Sequence, residues 1–232
     1  MIAGLDDAFA AVPRPQAIAA CPCGNCGWAD DVGVLLGKPR ARLTAGELMF
    51  YAGAVLNTVG GAQDFRYFAP RILGLVLSGE MSHPGIQLVF VKLREARWWS
   101  WPEAAFLAEL FDAVWAEVLE GDDSADTAGS VLCALAGATD SVAGRLAAWS
   151  VLGTPAGIRH LHDFAVGEVH RSGGRLVPRD AFWNADSAAY AEVVDWLNGG
   201  SALAAIEAAF ERTVDDELLD LLVAAHEALS GP

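Results

Sequence analysis

PEAAFLAELFDAVWAEVLE, residues 102–120, places its apolar side chains at the interval of an α-helix. Phe106, Leu107, Leu110, Phe111, Val114 and Val118 recur three and four residues apart and form one stripe. Glu103, Glu109, Asp112, Glu117 and Glu120 fall on the other side, so the pattern is that of a helix with one face in a core. Pro102 suits the first turn, where its missing N–H would have no intrahelical partner. A half-buried strand would need alternation with period two, and this stretch has none.

The same signature recurs on both sides. Upstream, T-A-G-E at 44–47 is a capping-box pattern, with Thr44 as N-cap and Glu47 three residues on. Leu48, Tyr51, Ala52 and Val55 then follow at helical spacing, and Val-Gly-Gly at 59–61 is the expected stop. In DFRYFAPRILGLVLSG, residues 64–79, Phe65, Phe68, Ile72, Leu75 and Val76 share a face. Pro70 predicts either a kink or a turn before a helix that begins near residue 70. IQLVFVKLREARWW, 86–99, begins apolar all round and could be a strand, but its charged tail favours a helix.

Downstream, GDDSAD at 121–126 reads as a polar loop, followed by apolar segments at about 127–138, 141–152 and 155–170. HRSGGRLVPRD, 170–180, reads as an irregular loop with a short extended piece at 175–177. Three helices are expected after it, the last with Asp215, Asp216 and Glu217 in its first turn, where negative charge complements the helix dipole. Residues 1–42 are rich in turn formers, with one short helix expected in GWADDVGVLLG. The fold class is therefore all-α: an irregular bundle or helix-pair array of eight to ten helices, with an irregular Cys-containing N-terminal segment. We read one domain over 1–232, and the 121–126 loop is the candidate boundary for a subdivision into 1–120 and 127–232.

Charge narrows the function. The net charge is −15, but residues 1–100 hold nine basic and eight acidic side chains, against six and 22 in residues 101–232. A field of that sign repels phosphate backbones and anionic lipid, so nucleic acid and membrane surfaces are not the expected partners; a basic protein is. No run approaches the roughly 18 apolar residues of a membrane span. The N-terminus carries Asp6 and Asp7 in place of a basic region before an apolar stretch, so a cytoplasmic protein without a signal peptide is expected.

CPCGNC, residues 21–26, holds three of the four cysteines. Cys21, Cys23 and Cys26 are the right ligand type for one structural zinc, with a fourth ligand to come from elsewhere. A redox pair at Cys23 and Cys26, or a turn with unpaired thiols, are the other readings, and the spacing leaves all three open. Cys133, in the apolar run SVLCALAG, is expected in the core. The histidines form no ligand set: His160 and His162 point to nearly opposite sides of a helix, and Glu80 with His83 has no second copy. No nucleophile elbow, zinc-protease helix, phosphate loop or dinucleotide fingerprint is present. One constellation remains: Arg66, Tyr67 and Arg71 near Trp98, Trp99 and Trp101, which could wall a small-molecule pocket with cations and aromatic faces.

CPCGNC, LTAGELMFYAGAVLNTVGGAQDFRYFAPRIL and KLREARWWSWPEAAF together resemble a family of uncharacterised bacterial helical proteins. Its members carry a Cys-rich turn, a helix ending in T-x-G and a D-F-R-Y-F-x-P-R-like segment. These features fall here on Cys21, Cys23, Cys26, Thr58, Gly60, Asp64 to Phe68, Pro70 and Arg71, and the resemblance covers roughly residues 20–110. It implies a helical fold and brings no activity with it. The function expected from the residues is non-enzymatic: a helical protein that binds a protein partner through its acidic C-terminal half, as an immunity protein, inhibitor or scaffold would. The alternative is a small-molecule or enzymatic site at the arginine–tryptophan junction.

Overall fold

The computed structural model describes residues 4–20, 28–121 and 126–231. The fold is all-α: 65% of the described residues are helical, and they form twelve α-helices and one two-stranded sheet. Two compact units divide the chain at Met1–Leu110 and Phe111–Pro232.

The first unit is built around α4. It contains α1 (Leu5–Ala8), α2 (Trp28–Gly37), α3 (Ala45–Ala54), α4 (Ala62–Leu77), α5 (Ile86–Glu95) and the start of α6 (Ala104–Glu120). Tight 3₁₀ turns lie at Arg40–Arg42 and Trp98–Ser100. The capping box at α3 forms: the Glu47 amide donates to the Thr44 hydroxyl, and the Glu47 carboxylate accepts from the Thr44 amide. That helix stops at Ala54, before the Gly-Gly pair. Leu56 and Gly60 take positive φ angles of 70° and 57° in the turn that follows, and the Gly60 amide donates to the Ala19 carbonyl at 2.9 Å.

Pro70 neither breaks nor delays α4, which runs through it for sixteen residues. An internal proline costs about 3 kcal/mol. Against that, α4 buries nine residues, among them Phe65, Phe68, Ile72 and Leu73, each worth roughly 1.5–3 kcal/mol when fully buried. It packs on α1, α3 and α5, so the burial is distributed over several partners. IQLVFVKLRE resolves as α5, whose buried face is Ile86, Val89, Phe90 and Leu93.

The second unit holds the rest of α6 with α7 (Ala128–Ala138), α8 (Ala143–Ser150), α9 (Pro155–Asp163), α10 (Ala188–Asn198), α11 (Ser201–Phe210) and α12 (Asp216–Ser230). The middle of the unit is occupied by α7, buried almost all round and including Cys133. An indole cluster fills the space beside it. Trp149 stacks on Trp196 at 5.6 Å, and meets Trp115 and Phe164 at 5.4 Å each. Each buried indole N–H finds an acceptor, as the low dielectric of a core demands: Trp115 on the Arg145 carbonyl, Trp149 on the Gly157 carbonyl, Trp196 on the Ser150 hydroxyl.

The segment 155–170, read as one apolar stretch, changes structure twice. Helix α9 gives way to a π-helical turn at Phe164–Glu168 and then to strand β1 (Val169–Ser172). HRSGGRLVPRD is thereby an antiparallel hairpin, with β1 paired to β2 (Arg175–Pro178) in the register Val169 to Pro178. Gly173 and Gly174 both take positive φ, as a two-residue hairpin turn with the right twist requires. Asn198 at the end of α10 holds β2 by accepting from the Leu176 amide and donating to its carbonyl, both at 2.9 Å.

Candidate functional site

The arginine–tryptophan constellation lies in the first unit, and its members turn to structural neighbours. Arg66 grips Glu103 with two parallel hydrogen bonds, from Nε at 2.8 Å and Nη2 at 2.7 Å. The Glu103 side chain is only 5% exposed, although helical periodicity places it on the solvent side of 102–120. The helix there begins at Ala104, so Glu103 lies in the preceding turn and folds inward. Arg71 donates from Nε to the Leu43 carbonyl at 2.7 Å. Tyr67 is buried edge-on against Phe68, with the Arg40 guanidinium 5.3 Å over its ring. Trp98 and Trp101 are buried too, and Trp101 packs edge-on against Phe9 and Phe65 at 6.2 Å. Trp99 alone of the three is exposed, with Arg94 stacked over it at 5.9 Å.

Cys21, Cys23 and Cys26 lie outside the described residues. Among the described residues no three His, Cys, Asp or Glu side chains group as a metal ion would require. Burial pushes the Cys133 thiol far above its ordinary range, with Asp180 and Glu168 adding to the effect, so it is a protonated core residue. His160 donates from Nε2 to the Gly121 carbonyl at 2.9 Å, and His162 pairs with Asp163.

The second unit carries features that no motif announces. One is a groove of about 620 Å³ between α6 and α8. Leu119, Ala116, Ala148 and Leu152 form its walls over the indoles of Trp115 and Trp149, and Asp112, Arg145 and Glu120 mark its rim. Arg145 donates to Asp112 at 2.6 Å, while burial lowers its pKa against that carboxylate's pull. Thr154 donates to the Leu119 carbonyl at 2.6 Å, so the end of α6 is bonded to the start of α9.

A smaller recess of about 400 Å³ is lined by Thr127, Ser130, Glu168, Arg179 and Asp180. Glu168, at the end of the π turn, leans on Gly129 of α7, where any β-carbon would meet its carboxylate and stand 2.7 Å from the Phe164 ring. Burial raises the Glu168 pKa; a hydrogen bond with Thr127 opposes this, and Asp180 and Asp163 add to it. Asp126, also raised by burial, belongs to the same end of α7.

The third feature is a charged surface. Residues 111–232 hold six arginines and no lysine against twenty acidic side chains. Glu207, Glu211, Asp216, Glu217, Asp220 and Glu227, on and between α11 and α12, are all exposed, and none makes an ion pair among the described residues. Val214 stands in their midst, 94% exposed.

Comparison of the chain with protein-family models, with curated proteins and with solved structures finds no match.

Proposed function

We propose that the chain is a non-enzymatic, cytoplasmic helical protein that binds a basic protein partner through its acidic C-terminal half, in the manner of an immunity protein, an inhibitor or a scaffold. The observation that carries this reading is the unpaired acidic surface of α11 and α12. Glu207 and Glu211, like Asp216 and Asp220, are four residues apart on or just beyond a helix, and like charges at that spacing destabilise a helix by about 0.2–0.5 kcal/mol per pair. The α12 dipole relieves Asp216 in the first turn but does nothing for Glu207 and Glu211 at the far end of α11. A surface that keeps such repulsion is suited to a cationic counterpart. The engaged arginines and buried tryptophans of the first unit favour this reading over a ligand pocket there.

The test is capture of the partner from the native host by the tagged full chain, followed by cross-linking and mass spectrometry. Cross-links concentrated on residues 200–230 support the proposal; cross-links confined to the first hundred residues overturn it. A structural zinc on Cys21, Cys23 and Cys26 is the second part of the proposal. Metal analysis of reduced, untagged protein should find about one zinc per chain, lost in Cys23→Ser. No metal in either protein would leave a turn that merely carries thiols.

A further inference from the structure

We infer that the α6–α8 groove is where the basic partner anchors, by inserting a large apolar side chain flanked by lysine or arginine. This rests on the reading of a basic partner and assigns the place and the chemistry of contact. Three observations converge on it.

The first is what the groove lacks. A small-molecule site needs a few convergent polar groups to orient its ligand. Here the Trp115 and Trp149 N–H groups and the Thr154 hydroxyl are bonded within the fold, and the Arg145 guanidinium is held by Asp112 through Nη2, which leaves its buried Nε as the one unbonded side-chain donor among these groups. What faces outward is hydrocarbon, from Ala116, Leu119 and Ala148, together with one carboxylate, Glu120, that has no ion-pair partner among the described residues.

The second is the groove's lip. Leu152 adopts φ 45°, a left-handed conformation that costs a leucine on the order of 1–2 kcal/mol. The turn buries Leu152 and sets Val151 outward, 63% exposed. Burial of Leu152 offsets the strain, but the same turn leaves Val151 facing water at the groove, and backbone outliers cluster at binding sites.

The third is continuity. Arg212, in the connection between α11 and α12, donates from Nη2 to the Val151 carbonyl at 2.7 Å. That bond ties the lip to the segment carrying Glu211, Val214 and Asp216. The lip of the groove is thus bonded to the connection that carries acidic residues, with exposed apolar side chains at Val151 and Val214 and exposed carboxylates at Glu211 and Asp216. A partner segment with cationic residues around an apolar anchor matches that arrangement in both charge and shape.

The experiment uses the full chain and a fluorescein-labelled helical peptide of leucine and lysine, about four turns long. A lysine–serine peptide of equal charge serves as control, both read by anisotropy at low salt. Ala148→Trp and Ala116→Trp fill the groove from exposed wall positions, and circular dichroism selects whichever variant melts like wild type. The expected result is binding of the leucine–lysine peptide that weakens at least about tenfold in the filled variant, the range of a lost anchor. The control peptide should bind more weakly and not distinguish the two proteins. Equal affinity of the leucine–lysine peptide for filled and open grooves would overturn the groove assignment. If Glu207→Lys with Glu211→Lys still abolished that binding, the acidic-surface reading would survive it. No binding of either peptide to the wild type would overturn both.

Discussion

Glu103 shows how one side chain decides the character of a site. Bonded twice to Arg66 and 5% exposed, it turns a candidate ligand-binding cation into an internal strut. Removing one member of a buried pair strands the other, so Glu103→Ala should lower stability by about 3 kcal/mol in chemical denaturation. Replacing both members, Arg66→Met with Glu103→Leu, should restore most of that loss; if the double variant is no better than the single, the pair is not the unit that matters. Glu168 offers a second test at this scale. Its folded-state pKa is raised, chiefly by burial, so the folded chain holds the proton more tightly than the unfolded chain. The stability this group contributes is complete below the unfolded value and is lost as pH rises through the folded one. Glu168→Gln should therefore raise the denaturation midpoint near neutral pH, and the gap from wild type should close on acidification. A gap that stays constant with pH would mean the carboxylate is not strained by its surroundings.

At the scale of elements, the hairpin β1–β2 depends on α10 through Asn198. Asn198→Ala removes the bonds to both polar groups of Leu176, and a cost of roughly 1–3 kcal/mol is expected, with faster hydrogen exchange at the Leu176 amide. Unchanged exchange would show the hairpin to be held by its turn alone. The elements differ in how far the sequence reveals them, and locality explains the difference. Thr44 and Glu47 are three residues apart, and their capping box forms as read. The stripe from Phe106 to Val118 is likewise a local pattern, and α6 follows it. Pro70 could not be resolved locally, because the burial that overrides it comes from α1, α3 and α5. The segment 170–180 reads in sequence as an irregular loop, because strands of four residues, three of them exposed in β1, show too little alternation to declare the hairpin around Gly173-Gly174. Glu103 and Arg66 are 37 positions apart, and the groove residues come from α6, α8 and the start of α9; no spacing rule links either set. The acidic asymmetry was plain in composition, whereas its concentration on an unpaired face of α11 and α12 needed the fold.

On the scale of the molecule, charge is the property most directly tied to the proposed role. Reversing Glu207, Glu211, Asp216 and Glu217 to lysine keeps a like-charge pair at the end of α11 but suits the negative end of that helix dipole, while it opposes the positive end at the start of α12, so the dipole contributions offset and stability should change little. Partner affinity should change greatly, which separates a binding surface from one that serves solubility alone. None of the described helices is long and apolar enough to cross a membrane. The measurement that bears most directly on the account is therefore the affinity of the captured partner for the wild type and for this fourfold charge-reversed variant, between about 50 and 500 mM salt. The account predicts wild-type affinity that falls steadily with salt and a variant that binds at least about tenfold more weakly at the low end, converging with the wild type as screening grows. Affinity that is indifferent to salt and equal in the two proteins would contradict it.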